Sequence, residues 1–329
     1  MKRRQIGRTS LQVTEISLGG AAIGGLYRAV PRLSAEETFR AAWEAGIRYF
    51  DTAPFYGFGL SERRMGDFLR DHPRDSYVLS TKVGRLLRAV PEDQVPDYSY
   101  VDPLPFAVGY DYTYDGIMRS VEFSLARLGL NRIDILFVHD IGAYTHGKAA
   151  NGRHFRDLMD SGLKALEQLK REGSISAYGL GVNEVQVCLD VMARAPLDCI
   201  LLAGRYTLLD RSAGRDLLPL CEKVGTSLVI GGVFNSGILA TGPVAGAHFD
   251  YGPADDDILR RVAQLEEAAT RASVPLAAAA LQFPLQHPAV ATVLIGTAKA
   301  SSLSRNLELL ETRIPEDAWH SFEAAALNL

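Results

Sequence analysis

The sequence predicts an α/β fold: a closed (β/α)8 barrel of the TIM type with an N-terminal β-hairpin and extra helices. Short apolar segments alternate with longer helical patterns along all 329 residues. The apolar segments are continuously hydrophobic, which is typical of parallel strands covered by helices. Eight such pairs favour a closed barrel. The alternative is a doubly wound open sheet, but the stretch LGGAAIGG at 18–25 lacks the G-x-G-x-x-G spacing that such a sheet normally carries.

The predicted strands come first in each pair. A two-stranded hairpin around Gly7, over residues 2–13, precedes them and is placed to plug the base of the barrel. The barrel strands are predicted at 16–18, 47–50, 77–81, 133–138, 175–181, 199–203, 227–230 and 291–295.

The predicted helices follow from capping residues and from apolar residues repeated every three or four positions. The first has Ser34 as N-cap, Glu37 at the capping-box position and Gly46 as its stop. Barrel helices are predicted at 33–46, 61–70, 114–130, 155–172, 185–194, 212–223, 257–272 and 300–311, and extra helices at 277–282 and 318–327. Residues 84–113, rich in Pro, Tyr and Asp, form the longest irregular stretch, which predicts a functional or mobile loop.

Composition narrows the class of protein. The net charge of −4 gives no basic face for nucleic acid. The N-terminus lacks the apolar core of a signal peptide, and no apolar run is long enough to span a membrane. Cys188, Cys199 and Cys221 lie in apolar stretches and are expected to be buried, reduced thiols, without a metal. We therefore expect one cytoplasmic domain, residues 1–329. The sequence does not indicate its oligomeric state.

Polar side chains stand at the ends of three consecutive strands. Asp51 ends the second strand, Lys82 the third and His139 the fourth, while Tyr56 lies in the loop just after Asp51. A barrel of this type carries its active site at the carboxyl ends of its strands. A single strand-end Asp or His would more often be structural, but four converging residues favour a catalytic site.

These residue types suit carbonyl and alcohol chemistry. A free tyrosine has a pKa near 10, and a nearby ammonium is expected to lower that pKa towards neutrality. Asp51 would hold Lys82 in place, and Tyr56 would then give or take a proton. His139 would orient a substrate oxygen. Because no nucleophile or metal site is evident, a cofactor must supply or accept the hydride.

At these residues the sequence resembles the aldo-keto reductases. The matching motifs are F-D-T-A-x-x-Y-G at 50–57, G-x-S-E at 59–62, R-L-G-L-x-x-I-D-I-L at 127–136, and the strand-end Lys82 and His139. The resemblance implies a catalytic tetrad of Asp51, Tyr56, Lys82 and His139, and NAD(P) bound across the barrel mouth.

The resemblance also implies cofactor positions, which depart from the family pattern in places. Ala203 replaces a glutamine, and Gly231 replaces the aromatic residue that stacks on the nicotinamide. Fewer basic residues than usual in the last loop favour NAD over NADP. The implied cofactor-binding residues are Gly19, Gly20, Asp51, Asn183, Gly232, Phe234, Ser236, Gly237, Leu239, Gly296, Thr297, Lys299 and Asn306.

Within the family, the sequence is most similar to the branch of L-fucose and D-threo-aldose 1-dehydrogenases, with pyridoxal and L-galactose dehydrogenases close by. This implies oxidation of an aldose at C1 to the aldonolactone. The substrate-binding residues are then Tyr56, His139, Asp140 and Asn235. The alternatives are a pyridoxal 4-dehydrogenase, a general NAD(P)H-dependent aldehyde or ketone reductase, and a cofactor-binding regulatory subunit.

Overall fold

Eight parallel strands close into a barrel, which confirms the predicted fold class. The computed structural model describes residues 1–327. Each strand pairs with its neighbours in the chain, and the last pairs with the first. The barrel strands are β1 (Ile16–Gly19), β2 (Tyr49–Asp51), β3 (Val78–Val83), β4 (Ile135–His139), β5 (Ala177–Val182), β6 (Cys199–Ala203), β7 (Ser227–Gly231) and β8 (Val290–Gly296).

Helices surround this barrel, and they bury their apolar faces against the outside of the strands. A π-helical turn, Leu158–Gly162, joins two of them into one long element after β4. The helices are Arg32–Glu44, Leu60–Leu69, Tyr114–Leu128, Ala143–Asp157, Leu163–Arg171, Gln186–Met192, Leu217–Val224, Ile238–Thr241, Asp256–Arg271, Leu276–Gln282, Ala300–Glu311 and Glu316–Leu327. Over residues 1–327, none of them is long and apolar enough to cross a membrane.

The N-terminal hairpin closes the base of the barrel, as predicted. Its strands are Arg3–Gln5 and Gln12–Thr14. Ile6 and Val13 are fully buried and pack with side chains from the barrel interior. The Gly7 N–H donates to Ser227 Oγ at 2.8 Å. The open, polar end of the barrel is therefore the opposite one, where β2, β3 and β4 end in Asp51, Lys82–Val83 and His139. Cys188, Cys199 and Cys221 are buried free thiols.

Four sequence predictions of local structure were wrong. The first helix begins at Arg32 after Pro31, so Ser34 lies inside it and is not its N-cap. The stretch 84–113 is not irregular throughout, because Arg85–Ala89 and Phe106–Tyr110 pair as antiparallel strands. The helix expected at 155 is part of a helical segment that begins at Ala143 and is kinked at Gly147, where φ is 67°. This segment, up to Asp157, buries no residue and so has no apolar period to detect. The helix expected at 212 begins at Leu217, after a series of turns. The short helix Ile238–Thr241 and the strand pair His248–Phe249 with Gly252–Pro253 were not predicted.

Candidate active site

Asp51 and Lys82 form a buried ion pair where β2 and β3 lie side by side. Lys82 Nζ donates to Asp51 Oδ2 at 2.7 Å and to the Thr52 carbonyl at 3.0 Å. The other carboxylate oxygen of Asp51 accepts a hydrogen bond from Ser80 Oγ at 2.6 Å. Both side chains are at most 1% exposed. The lysine is thus held in one position, and its charge is balanced by a carboxylate that is itself fully hydrogen-bonded.

Tyr56 reaches this pair from the loop that follows β2. Lys82 Nζ lies 4.8 Å from the centroid of the Tyr56 ring. Burial raises the pKa of Tyr56 well above its ordinary value, and the nearby carboxylates of Asp51 and Asp140 raise the pKa further. The expected net lowering of the pKa of Tyr56 towards neutrality is therefore not found, because burial outweighs the lowering by the nearby Arg85 cation. The resting phenol is protonated and ready to donate.

His139 completes the group at the end of β4. Its ring stands perpendicular to that of Tyr56, with the centroids 5.9 Å apart. Burial lowers the pKa of His139 well below its ordinary value, and the cations Arg85 and Lys82 lower the pKa further. Within residues 1–327, His139 Nδ1 has no hydrogen-bond partner. A neutral imidazole can orient a substrate oxygen without competing with Tyr56 for the proton.

Tyr112 supports His139 from behind, a contact that the sequence did not indicate. Its hydroxyl donates to the His139 carbonyl at 2.8 Å and lies 2.9 Å from His146 Nε2. Tyr112 is fully buried. It therefore ties the end of β4 to the helix that begins at Ala143.

Arg85 is the residue beside the tetrad that sequence reasoning missed. It is 4% exposed and donates to the carboxylate of Asp140, which also lies 3.5 Å from His139 Nε2. The Arg85 guanidinium lies over Phe55, 4.1 Å from the ring centroid. The sequence could have indicated Arg85 by its position three residues after Lys82, because a side chain at the end of a strand reaches the barrel mouth. The structure thus brings Asp140, a predicted substrate residue, next to His139.

A cavity of about 560 Å³ extends from the barrel mouth across the ends of β5 to β8. At Gly237 and Gly296 no atom lies within 4 Å of where a side chain would begin. Bare backbone at these points suits the close approach of a phosphate group. The predicted cofactor residues that line the cavity are Asn183, Gly232, Phe234, Ser236, Gly237, Gly296, Thr297 and Asn306.

Five other predicted cofactor residues are not part of the cavity wall. One of them, Asp51, is fully buried in its ion pair with Lys82. Leu239 is fully buried in the core between barrel and helices, so its side chain cannot contact a ligand there. Lys299 is exposed, outside the cavity lining, whereas Arg305 lines the cavity. Gly19 and Gly20 are buried, and a side chain at Gly20 would lie only 2.4 Å from Ser61 Oγ. These two glycines allow close packing of the chain behind the site.

A loop after β7 covers one side of the cavity and brings Tyr251 to its wall. Asn183 Nδ2 donates to the Tyr251 hydroxyl at 3.0 Å. Arg205 fixes this loop through both oxygens of Asp250, at 2.9 and 3.0 Å. Neither Tyr251 nor Arg205 was predicted, because both act through contacts distant in sequence.

Asn235 was predicted to bind substrate, but its amide is already engaged. Asn235 Oδ1 accepts a hydrogen bond from Thr207 Oγ1 at 2.6 Å, and Nδ2 donates to the Gly204 carbonyl at 3.3 Å. Its backbone adopts a left-handed φ of 44°, which asparagine tolerates better than most residues. These contacts indicate that Asn235 holds two loops together.

The family of the chain follows from its match to a family model. The model of the aldo/keto reductase family matches residues 15–326. The chain belongs to the aldo/keto reductase family. It is therefore an NAD(P)-dependent oxidoreductase, and the resemblance stated from the motifs is confirmed.

Individual relatives agree with this assignment. The chain is 43% identical to a pyridoxal 4-dehydrogenase of Microbacterium luteolum, over 99% of this chain and 98% of the relative. It is 39% identical to a D-threo-aldose 1-dehydrogenase of a Pseudomonas species, over 96% and 95%. A solved holo-form aldo-keto reductase from Bacillus halodurans superimposes with a TM-score of 0.78 at 25% identity, over 99% and 96%.

Proposed function

We propose that this enzyme oxidises the C1 hydroxyl of a cyclic aldose, of the L-fucose or D-threo-aldose type, to the aldonolactone. Residues 1–329 would act as one barrel domain. The observation that carries the proposal is the pairing of neutral His139 with a carboxylate, Asp140, at the tetrad. A sugar offers several hydroxyls to such acceptors. Tyrosine side chains stand exposed in loops at the same end of the barrel, at Tyr27, Tyr98, Tyr144 and Tyr251.

The proposed roles of the chain's own residues follow from the geometry. NAD(P), when bound, supplies the acceptor for the hydride that leaves C1. The proton of the C1 hydroxyl passes to the Tyr56 hydroxyl oxygen, and a C1=O double bond forms. Because the resting phenol is protonated, Tyr56 must first release its own proton to solvent water at the barrel mouth, and the Lys82 ammonium favours the resulting phenolate. His139 holds the C1 oxygen in line.

In the reductive direction the same residues work without that first step. The Tyr56 phenol is already protonated, so it can donate to the oxygen of an aldehyde or ketone. This supports a general carbonyl reductase as the alternative. The cofactor is NAD(P). The preference for NAD stays a prediction from the sequence, and Arg305 in the cavity wall argues against it, because a basic residue there favours NADP.

Pyridoxal is the second candidate substrate, since the relative named for it is 43% identical. Aldoses and pyridoxal share one chemical property: each closes on its own hydroxyl to form a cyclic hemiacetal. Oxidation of either hemiacetal gives a lactone. The two candidates therefore need the same tetrad chemistry and differ only in the groups around the reacting carbon.

A substrate panel tests the proposal. The purified full chain is given L-fucose, D-arabinose, L-galactose, pyridoxal and propanal, each with NAD and with NADP, and reduced cofactor and lactone are measured. We expect the aldoses to have the highest kcat/KM and to yield lactone. Turnover of pyridoxal or of propanal, with none of any sugar, would contradict the proposal. The variant Tyr56→Phe in the same panel reports the background.

A further inference from the structure

The ion pair of Arg85 and Asp140 lies beside the tetrad and takes no part in the proton transfer described above. The Asp140 side chain is 17% exposed and faces His139, with Asp140 Oδ2 at 3.5 Å from His139 Nε2. Arg85 follows β3, and Asp140 follows β4, so adjacent strands bring them together. The pair therefore stands next to the oxygen that His139 would orient.

The side chains of Arg85 and Asp140 make few hydrogen bonds to the rest of the protein. In the described part of the chain, the Arg85 guanidinium has no hydrogen-bond partner other than Asp140, and its buried Nε has none. Among residues 1–327, the Asp140 carboxylate accepts a hydrogen bond from Arg85 alone. A buried guanidinium with unused donors is costly unless another group completes its hydrogen bonds. A ligand in the mouth is the group that fits.

The backbone at Asp140 supports this conclusion. Asp140 has a φ of 47°, in the left-handed region that most side chains avoid. Such conformations persist at functional sites, where surrounding contacts hold them. Here the Asp140 N–H donates to the Gly181 carbonyl at 2.8 Å, and this bond fixes the turn. The carboxylate is thus held towards Arg85 and His139 at a conformational cost.

An aromatic wall stands against the same pair. Arg85 covers one face of Phe55, and Tyr98 and Tyr100 meet Phe55 edge-on, with centroids 5.3 and 5.5 Å away. Phe55 also lies 6.1 Å from the His139 ring. Planar polar groups beside an aromatic wall suit a sugar, which presents hydroxyls at its edge and C–H groups on its face.

We propose that Arg85 and Asp140 determine specificity by recognising the hydroxyl on C2 of the aldose, next to the reacting carbon. Asp140 accepts from this hydroxyl and Arg85 donates to its oxygen. Oxygens on adjacent carbons are close neighbours, so a carboxylate 3.5 Å from His139 Nε2 reaches the oxygen beside the one that His139 orients. This inference rests on the proposed function and excludes pyridoxal, whose reacting carbon has no hydroxylated neighbour.

The test compares each sugar with its 2-deoxy form. D-arabinose and 2-deoxy-D-ribose differ only at C2, and L-fucose is paired with 2-deoxy-L-fucose. In the unmodified enzyme we expect kcat/KM to fall roughly 10- to 100-fold on loss of the C2 hydroxyl, since hydrogen bonds to charged groups have this magnitude. In the double variant Arg85→Met with Asp140→Gly, which leaves no lone buried charge, the two forms should be used almost equally.

Controls separate recognition from folding. Arg88→Met removes an exposed arginine from the same strand and should leave the ratio unchanged. Asp140→Asn, which keeps a hydrogen-bonding group and tolerates the left-handed backbone, should give an intermediate ratio. Cofactor binding and the thermal midpoint of each variant report whether the barrel is intact.

The outcomes distinguish this inference from the proposed function. If the unmodified enzyme oxidises no aldose, both are overturned. If it oxidises aldoses but uses the 2-deoxy sugars equally well, or if the double variant keeps the original ratio, the proposed function stands and the role of Arg85 and Asp140 is overturned.

Discussion

An arginine–aspartate pair flanks each end of strand β4, and the two pairs are built differently. At the base, Asp134 accepts from Arg74 at 2.7 Å and from the Leu79 N–H at 2.8 Å. Arg74 itself donates to the Tyr77 carbonyl at 3.2 Å and to the Arg132 carbonyl at 3.0 Å. At the mouth, Arg85 and Asp140 bond to each other, and within residues 1–327 Arg85 donates to no backbone carbonyl; the Nε atoms of Arg74 and Arg85 both lack a partner there.

The pair at the base of β4 therefore serves stability, and the pair at the mouth serves function. The basal pair ties backbone groups of neighbouring segments together, and the upper pair contacts His139 and the aromatic wall. This agrees with the general division of labour in such barrels, where the carboxyl ends of the strands hold the active site and the opposite ends hold the fold.

The largest expected effect on stability lies at the base of the barrel. Asp134→Asn should lower the free energy of unfolding by about 3 kcal/mol, because it removes the buried carboxylate that pairs with Arg74 and Arg132. Urea unfolding measures this loss, and kcat/KM of the folded variant should be unchanged. The matched change Asp140→Asn should cost less stability and alter sugar discrimination. A drop in kcat/KM for Asp134→Asn without any loss of stability would contradict the comparison.

The barrel fold and the position of the tetrad in it could be predicted from the sequence. Asp51, Lys82 and His139 follow apolar strands directly, so their shared height in the barrel follows from topology alone. Arg85 could not be placed, because the antiparallel strands after Gly84 have little apolar alternation and their pairing joins residues about twenty positions apart. Tyr112 and Arg205 act through similarly distant contacts, which no local pattern records. The burial that raises the pKa of Tyr56 also depends on the assembled mouth.

A smaller effect concerns the cations around the cofactor cavity. Arg305 lines the cavity and Lys299 does not. Arg305→Ala should weaken the binding of NADP by about threefold to fivefold and leave NAD nearly unaffected, because an exposed ion pair contributes little. Lys299→Ala is the matched control and should change neither. Fluorescence titration with each cofactor measures the dissociation constants. Equal effects of the two variants, or an equal loss for both cofactors, would show that Arg305 does not face the added phosphate.

The central claim is that Tyr56 transfers the proton in a site that Lys82, Asp51 and His139 assemble. The most direct measurement is kcat of Tyr56→Phe together with its affinity for NAD(P). We expect kcat to fall by about 100- to 10,000-fold, the usual contribution of a positioned acid or base, while the cofactor dissociation constant stays the same. A variant that keeps its turnover, or that loses it only because the cofactor no longer binds, would contradict the claim.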